Sequence, residues 1–354
     1  MNFAFRLRQA LLIAHLELSR AFFSKRAFWV YGLALFPTII FVAHGLDVTW
    51  KRQRWAASSI TREQMDRVTG GQTLEEVAQK LGKPIRQGRW GDDDNKRVHD
   101  WRSYYDGKRR VDLDFTNGLL THIRAQELAD FEDDRTVLAT VFQYFYLRLA
   151  IFFGCLGIFM NLFRGEMLDK TLHYWLLAPA RRETLLAGKY LAGVAASVII
   201  FGAGTAVCFY GVLWYQNPAE VHAYWAGQGP AHLFWYVAAS SLACIGYGSV
   251  FVAAGLLVRN PIVPAVILLL WESINGFLPA ALQKLSVLFY VQSLCPVPPV
   301  DFDEDTPALV KMLLAPAEPV SAAIAVLGVV GVTALVLWAA GRTIRRTEIN
   351  YGTE

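Results

Sequence analysis

The sequence predicts a mainly α-helical protein that crosses a membrane several times and carries a small α+β insert outside the membrane. Of its 354 residues, 54% are apolar and 18% are charged, which is more apolar than soluble globular domains usually are. Long windows almost free of charge recur along the chain, and one long polar stretch interrupts them. The windows predict the membrane helices, and the polar stretch predicts the insert.

Six windows are long and apolar enough to cross a membrane. A hydrocarbon core about 30 Å thick needs about 20 apolar residues in a helix. The predicted transmembrane helices cover residues 27–46, 135–163, 190–214, 233–258, 261–281 and 319–340. Arg148 interrupts the second window, and Glu272 lies in the fifth.

The distribution of Lys and Arg predicts the orientation of these helices. With the N-terminus in the cytoplasm, fourteen Lys and Arg fall in the inner segments, which are residues 1–26, 164–189, 259–260 and 341–354. The outer loop 215–232 has none, and residues 282–318, predicted as outer re-entrant or interfacial helices, have two. Because positive charge collects on the cytoplasmic side, both termini are predicted to be cytoplasmic.

Residues 1–26 are predicted to form a cytoplasmic helix on the membrane surface. Arg6 and Arg8 before an apolar stretch are also typical of a signal peptide. Glu17 and Arg20 interrupt that stretch, however, and no A-x-A cleavage site follows. An interfacial amphipathic helix is therefore preferred over a cleaved signal.

Residues 47–134 are predicted to fold as an extracytoplasmic α+β domain with two helices and a three-stranded antiparallel sheet. The segment is polar and nearly neutral, with 16 Lys and Arg against 17 Asp and Glu. Thr61 begins one short helix, and Thr73 begins the second with a capping box to Glu76. The second helix ends at Gly82.

The three strands are predicted from the segments "VHDWRSYY", "KRRVDLDF" and "LLTHIRA". Asp-Gly and Asn-Gly dipeptides separate them, and both favour the positive φ angles of hairpin turns. Val111, Leu113 and Phe115 alternate with aspartates, which predicts one apolar face for the two helices to cover. The order "G-x-T-x-x-x-V…LG-x-P…W…Y…F-x-N-G" resembles the small lipoprotein domain of the outer-membrane barrel-assembly machinery (SmpA/OmlA-like). A binding face for a periplasmic protein is one expectation for this domain.

Motifs for catalysis, metal binding and nucleic-acid binding are absent from the sequence. There is no P-loop, no H-E-x-x-H and no G-x-S-x-G. Asp92, Asp93, Asp94 and Asp100 lack the alternating ligands and closing Glu of a calcium loop. The net charge of +4 contains no basic run of the kind that nucleic acid attracts. The chain is therefore predicted not to be an enzyme and to bind no cofactor, metal or nucleic acid itself.

The segment "FRGEMLDKTLHYWLLAPARRETLLAGKYLAG", residues 163–193, concentrates mixed charge between two predicted spans. Its leucines and Trp175 form one helical stripe that Pro179 ends, and a second helix follows. These features predict a cytoplasmic helix-turn-helix at the membrane surface. One interpretation is that its charges merely follow the positive-inside rule.

The residue order of this segment favours another interpretation. "F-R-G-E-x-x-D-K-T-L-x-Y-x-L-x-x-P-x-x-R-x-x-L-L-x-G-K-Y" closely resembles the cytoplasmic loop of exporter-type (ABC-2) permeases of ATP-binding cassette (ABC) transporters. "ELSRAFFSKRAFWVYGLAL" is similar to that family's connecting helix and first span, and the region after residue 258 is similar to its fifth span. The insert departs from the commonest members.

The resemblance implies a membrane subunit in the bacterial inner membrane. Its loop 164–189 would carry a coupling helix that docks on a cytoplasmic ATPase dimer, which binds ATP and Mg²⁺, and a second copy or a homologous permease would complete the complex. The residues that the resemblance assigns to coupling are Glu17, Arg164, Glu166, Asp169, Lys170, Thr171, Arg182 and Lys189.

Arg148 and Glu272 are candidates for a translocation path. A charge left in lipid at the bilayer centre costs about 2.5–3.5 kcal/mol, so each is expected to face protein, water or a substrate. The structural alternatives are that Arg148 extends to the outer interface and that Glu272 caps a broken helix starting near Asn275.

Two other functional classes stay open. In the first, an ATPase drives spans that move the extracytoplasmic domain, so that the chain acts as a mechanotransmitter or membrane scaffold for an envelope partner. The second, an intramembrane enzyme, is disfavoured because no nucleophile-base pair stands out. The identity of the substrate is not encoded in any motif.

Overall fold

The computed structural model is mainly helical, with one small antiparallel sheet. It describes residues 3–23, 28–92, 97–168, 181–258, 262–275, 279–299 and 319–346. The chain forms two compact units. The helical unit comprises Met1–Ile40, Arg135–Gly211 and Val221–Glu354, and the insert unit comprises Phe41–Asp134 and Val212–Glu220.

The elements follow one another as long helices interrupted by the sheet. In chain order they are α1 (Phe3–Phe23), α2 (Phe28–Ala56), α3 (Arg62–Asp66), α4 (Leu74–Leu81), β1 (Arg86–Asp92), β2 (Arg97–Tyr105), β3 (Arg109–Thr116), β4 (Leu119–Glu127), α5 (Phe131–Val141), a π-helical segment (Phe142–Ala150), α6 (Ile151–Leu168), α7 (Arg182–Leu213), α8 (Pro218–Ala226), α9 (Gly229–Leu257), α10 (Ile262–Ser273), α11 (Ala280–Gln283), α12 (Val287–Gln292) and α13 (Ala322–Arg346).

Five helical stretches among the described residues are long and apolar enough to cross a membrane. They are Phe28–Ala56, Phe131–Met160, Arg182–Leu213, Gly229–Leu256 and Ala322–Arg345. These stretches contain most of each of the first, second, third, fourth and sixth predicted spans. Their length and composition make the chain a multi-pass membrane protein.

The fifth predicted span, residues 261–281, is not one continuous helix. Helix α10 ends at Ser273 after 12 residues, which corresponds to about 18 Å of helix and is less than the thickness of a hydrocarbon core. The short helices α11 and α12 follow it. Crossing the membrane at this position stays a prediction.

The second predicted span changes its helical geometry partway along. Between α5 and α6, residues 142–150 are π-helical, and Arg148 lies in this segment. A π-helix shifts the faces of the flanking helices relative to each other. Within it, Tyr146 donates a hydrogen bond to the backbone oxygen of Phe201 at 2.8 Å, and the Gln143 amide donates to that of Val297 at 3.1 Å.

Glycines allow the long helices of the helical unit to approach closely. The Phe159 ring of α6 lies against both Gly193 of α7 and Gly248 of α9, where an added Cβ atom would clash with the ring. Close approach through small residues suits a lipid environment, because lipid supplies no hydrophobic driving force between helices. The three helices therefore meet around one aromatic side chain.

The insert unit contains a four-stranded antiparallel sheet in the order β1-β2-β3-β4, so the prediction of three strands is wrong. Strands β2, β3 and β4 coincide with the predicted segments. The additional strand, β1, has the sequence "RQGRWGD" and pairs with β2 from Arg86 opposite Ser103 to Asp92 opposite Arg97. Strand β1 was not predicted because it contains two glycines and its apolar residues do not alternate with polar ones.

Helices α3 and α4 contribute to the apolar core of the insert unit, as predicted. That core contains Ile60, Met65, Val68, Val77, Leu81, Tyr104, Val111, Leu113, Phe115 and Leu120. Both predicted helix caps are present, and each is a reciprocal capping box, from Thr61 to Gln64 and from Thr73 to Glu76. The module therefore has two layers, helices on one side and sheet on the other.

Both predicted hairpin turns are present. Gly107 has a φ of 92°, and Asn117 and Gly118 have φ angles of 52° and 82°. In the first turn, burial pushes the pKa of Asp106 upward, but hydrogen bonds from the Arg109 and Lys108 amides and the Arg109 guanidinium outweigh it and hold that pKa below its usual value. These bonds stabilise the turn at neutral pH and are lost as the pH falls through the lowered pKa.

Replacing Leu113 with alanine tests the core of the insert. Leu113 is fully buried, so Leu113→Ala is expected to lower the free energy of unfolding of this module by about 2–5 kcal/mol. Amide hydrogen exchange of β2–β4 in the full-length protein measures the change. The control Leu119→Ala, at a half-exposed position, is expected to cost less than about 1 kcal/mol. Equal effects of both variants would contradict the packing described.

Candidate coupling site

The first two turns of α7 contact three other helices of the helical unit. They follow directly after residue 181, at the end of the segment that resembles a coupling helix. The contacts reach α1, α6 and α13, which are far apart in sequence. We call this group of contacts the α7 junction; it consists of Glu17, Phe163, Arg182, Glu183, Gly188, Lys189 and Arg345.

A buried ion pair joins α1 to α7. The ammonium of Lys189 lies 2.9 Å from Oε1 of Glu17, and the two residues are 0% and 3% exposed. The same ammonium lies 5.5 Å from the centre of the Phe163 ring in α6. Two opposite charges removed from water attract strongly, but each would be costly without the other. The pair therefore links the position of α1 to that of α7.

Gly188 makes the approach of α1 possible. A Cβ atom at this position would lie 2.8 Å from the backbone oxygen of Ala10 and 2.7 Å from Cβ of Ile13. The backbone oxygen cannot move aside as a flexible side chain could. The residue before Lys189 must therefore be glycine if Glu17 is to reach the ammonium without displacement of α1.

Polar contacts at the start of α7 hold the end of α13. Nη1 of Arg182 donates hydrogen bonds to the backbone oxygens of Ile344 and Arg345, at 3.2 and 3.4 Å. Arg345 also forms an ion pair with Glu183. The last carbonyls of a helix have no partners within it, so Arg182 supplies donors that they otherwise lack. These side chains are at least partly exposed, so their contacts contribute little stability. Their effect is to align the end of α13 with the start of α7.

The structure brings some of the predicted coupling residues together and leaves others undescribed. Arg164 and Glu166 lie in the last turns of α6, but their side chains are not described. Asp169, Lys170 and Thr171 lie outside the described residues. Those five assignments stay predictions.

Glu17 and Lys189, which the resemblance assigns to coupling, are buried against each other. Their part in coupling stays a prediction, in which they act through the alignment of α1 and α7. Glu183, Gly188 and Arg345 were not predicted as site residues, because their partners lie more than 150 residues away in the sequence.

The two charged residues of the predicted membrane spans occupy a second site. Glu272 is 3% exposed and accepts hydrogen bonds from Oγ of Ser286 and from the backbone N–H of Val287, the latter at 3.2 Å. Oγ of Ser286 in turn accepts from the backbone N–H of Phe289. The carboxylate and the hydroxyl together cap α12. A capping role was expected near Asn275, but the capped helix begins at Val287.

Arg148 is half-buried on the π-helical segment and attracts the carboxylate of Glu272 electrostatically. Its guanidinium lies 5.9 Å from the centre of the Tyr144 ring. The cap and the electrostatic partner give Glu272 a structural role. A role of either residue in a translocation path stays a prediction.

No family model matches the chain, and no curated protein matches it. Among the described residues, no group of three or more His, Cys, Asp or Glu could hold a metal ion. The interpretation of the site therefore rests on its geometry and on the residue order of the segment that precedes α7.

Removing one member of the ion pair tests its burial. Glu17→Ala and Lys189→Ala each leave an uncompensated buried charge, and each is expected to lower the free energy of unfolding by about 3–5 kcal/mol. The double variant Glu17→Leu/Lys189→Met is expected to recover most of that loss. Unfolding in detergent micelles measures all three variants.

The control for this experiment is an exposed ion pair of the same chemistry. Lys51 pairs with Asp47 on α2 with both side chains partly exposed, and Lys51→Ala is expected to cost less than about 1 kcal/mol. If Lys189→Ala is no more destabilising than this control, the Glu17–Lys189 pair is not buried in solution.

Proposed function

We propose that the chain is the membrane subunit of an ABC exporter in a bacterial inner membrane. In this proposal it crosses the membrane six times, with α10 and the short helices after it forming the fifth crossing, and both termini are cytoplasmic. It couples ATP hydrolysis by a separate subunit to the export of a substrate. The chain itself is a transporter subunit and not an enzyme.

The position of the α7 junction is the observation that carries this proposal. The loop that the resemblance assigns to coupling, residues 164–189, includes the first two turns of α7, where the junction lies. A force applied to that segment would reach α7 directly, α1 through Glu17 and Lys189, and α13 through Arg182. Rigid packed helices respond to such a force by switching between discrete arrangements. This is what a coupling element requires.

The proposal implies partners that this chain does not encode. Two cytoplasmic ATPase subunits would bind ATP and Mg²⁺ and close on each other. A second copy of the chain, or a homologous permease, would supply the other half of the translocation path. Arg148 and Glu272 are the candidates for contact with the substrate along that path, beside their structural roles.

Reversing the charge of Glu166 tests the coupling role. A like charge placed in a complementary interface costs several kcal/mol, so Glu166→Lys is expected to lower the stimulation of the ATPase by the membrane subunit more than about tenfold. Stimulated ATP hydrolysis is measured after coexpression with the cognate ATPase and reconstitution in lipid.

The matched control is Glu75→Lys, at an exposed position of α4 in the insert unit. It makes the same charge change away from the predicted interface and is expected to leave stimulation unchanged. Unchanged stimulation in Glu166→Lys would remove Glu166 from the coupling surface. Loss in both variants would point to a general effect of charge.

A second candidate function is supported by the folded insert. Its sheet, capped helices and apolar core form a compact module of their own. A module of this kind is more than a connecting loop requires, and it suits a mechanotransmitter that acts on an envelope partner. In that case ATP hydrolysis would move the insert rather than a transported molecule.

Deleting the module separates the two candidates. Residues 58–128 are replaced with a Gly-Ser linker. This replacement leaves the C-terminal end of α2 and the start of α5 intact. An exporter is expected to keep ATPase stimulation within about twofold, because the α7 junction is untouched, and to complement a strain that lacks the gene. Retained stimulation without complementation would favour the mechanotransmitter.

A further inference from the structure

The insert sheet has one open face. In an antiparallel sheet alternate side chains point to opposite faces. The face formed by Tyr104, Val111, Leu113 and Phe115 packs with α3 and α4 in the core. On the opposite face, Arg86, Ser103, Asp112 and Arg124 are direct neighbours in register and form one row across all four strands.

A shallow hollow of about 260 Å³ lies along this row. The Trp101 side chain lies across Gly88 of the neighbouring strand, where an added Cβ atom would meet its Nε1 at 2.5 Å. The Arg86 guanidinium lies 5.9 Å from the centre of the same ring system. The absence of a side chain at Gly88 therefore lets an aromatic surface line the hollow beside a cation.

The charges in the hollow are only partly paired. Asp112 forms an ion pair with Arg110 at 2.8 Å and accepts a hydrogen bond from Ser103. Arg86 and Arg124 are both exposed, and neither has a carboxylate partner among the residues that the structure describes. They lie on the two edge strands. Three inter-strand spacings of about 4.8 Å place their backbones about 14 Å apart.

We propose that this face binds an extended acidic segment of a partner protein. Two carboxylates of the segment, four residues apart, pair with Arg86 and Arg124, and the residues between them cover Trp101. Four residues of extended chain span about 13–14 Å, which matches the separation of the arginines. Arginine suits this role, because its guanidinium can pair with a carboxylate through two hydrogen bonds.

The aspartates in the hollow favour a polypeptide over a membrane surface. Asp112 lies between the two arginines in the row, and Asp114, two residues further along β3, also lines the hollow. A continuous layer of anionic headgroups would therefore meet like charge there. An extended peptide instead presents backbone N–H groups between its acidic side chains, and Asp114 can accept from them. The inference does not depend on the exporter function, because every residue in it belongs to the insert unit.

Peptides of equal charge test the spacing. The full-length protein is placed in nanodiscs of phosphatidylcholine, and fluorescent nine-residue Thr- and Val-rich peptides carry two Glu either four or two positions apart, or Gln at both positions. The peptide with Glu four apart is expected to bind about tenfold more tightly than the Gln peptide, and more tightly than the peptide with the closer spacing.

Variants of the two arginines test the surface. Arg86→Gln/Arg124→Gln is expected to abolish the preference for the peptide with Glu four apart, whereas Arg62→Gln, an exposed arginine on α3, is expected to retain it. Equal binding of all three peptides, or equal loss in the Arg62→Gln control, would overturn the proposal. It would also be overturned if the double variant lost binding to phosphatidylglycerol vesicles while peptide binding was unchanged.

Discussion

Backbone polar groups inside a bilayer have to be hydrogen-bonded within the protein, and this constraint shapes the helical unit. Most of its described residues lie in long helices, which satisfy their own backbone. Where a helix breaks, side chains replace the missing bonds. Helix α10 ends after 12 residues, and its Glu272 then caps α12 together with Ser286. Burying the Glu272 carboxylate in a membrane span costs free energy. Here, together with Ser286, it accepts hydrogen bonds from amides at the start of α12 that would otherwise be unpaired.

The buried ion pair of Glu17 and Lys189 satisfies the corresponding constraint for charged groups, which must also be paired when they are buried. Neither group is tolerable alone in an apolar surrounding, so the two helices that carry them must remain together. Replacing such a pair with apolar residues often costs little stability, which indicates that its value here lies in fixing one arrangement of α1 on α7. Gly188 reinforces this, because its missing side chain sets how closely the two helices approach. A junction with one defined arrangement transmits displacement, whereas a purely apolar contact could slide.

Local signals predicted much of the fold. The capping boxes at Thr61 and Thr73 and the Asn-Gly turn are each encoded within a few residues, and all three are present. The long apolar spans also persist, because their composition alone requires helix in lipid. Strand β1 was missed because an edge strand with two glycines has little intrinsic pattern and depends on its pairing with β2. The contact between Glu272 and Ser286 likewise joins two positions 14 residues apart, which no local pattern indicates.

The ion pair between α1 and α7 also limits when these two helices can assemble during synthesis of the protein. Its two members are separated by 172 residues, and the ribosome needs roughly 10–30 s to make that length of chain. During this interval Glu17 has no Lys189 to pair with, so its carboxylate has to remain solvated. The α1 helix can settle against α7 only after the whole insert and the following span have emerged. The first helix to be made therefore reaches its final place only after more than half of the chain has been synthesised.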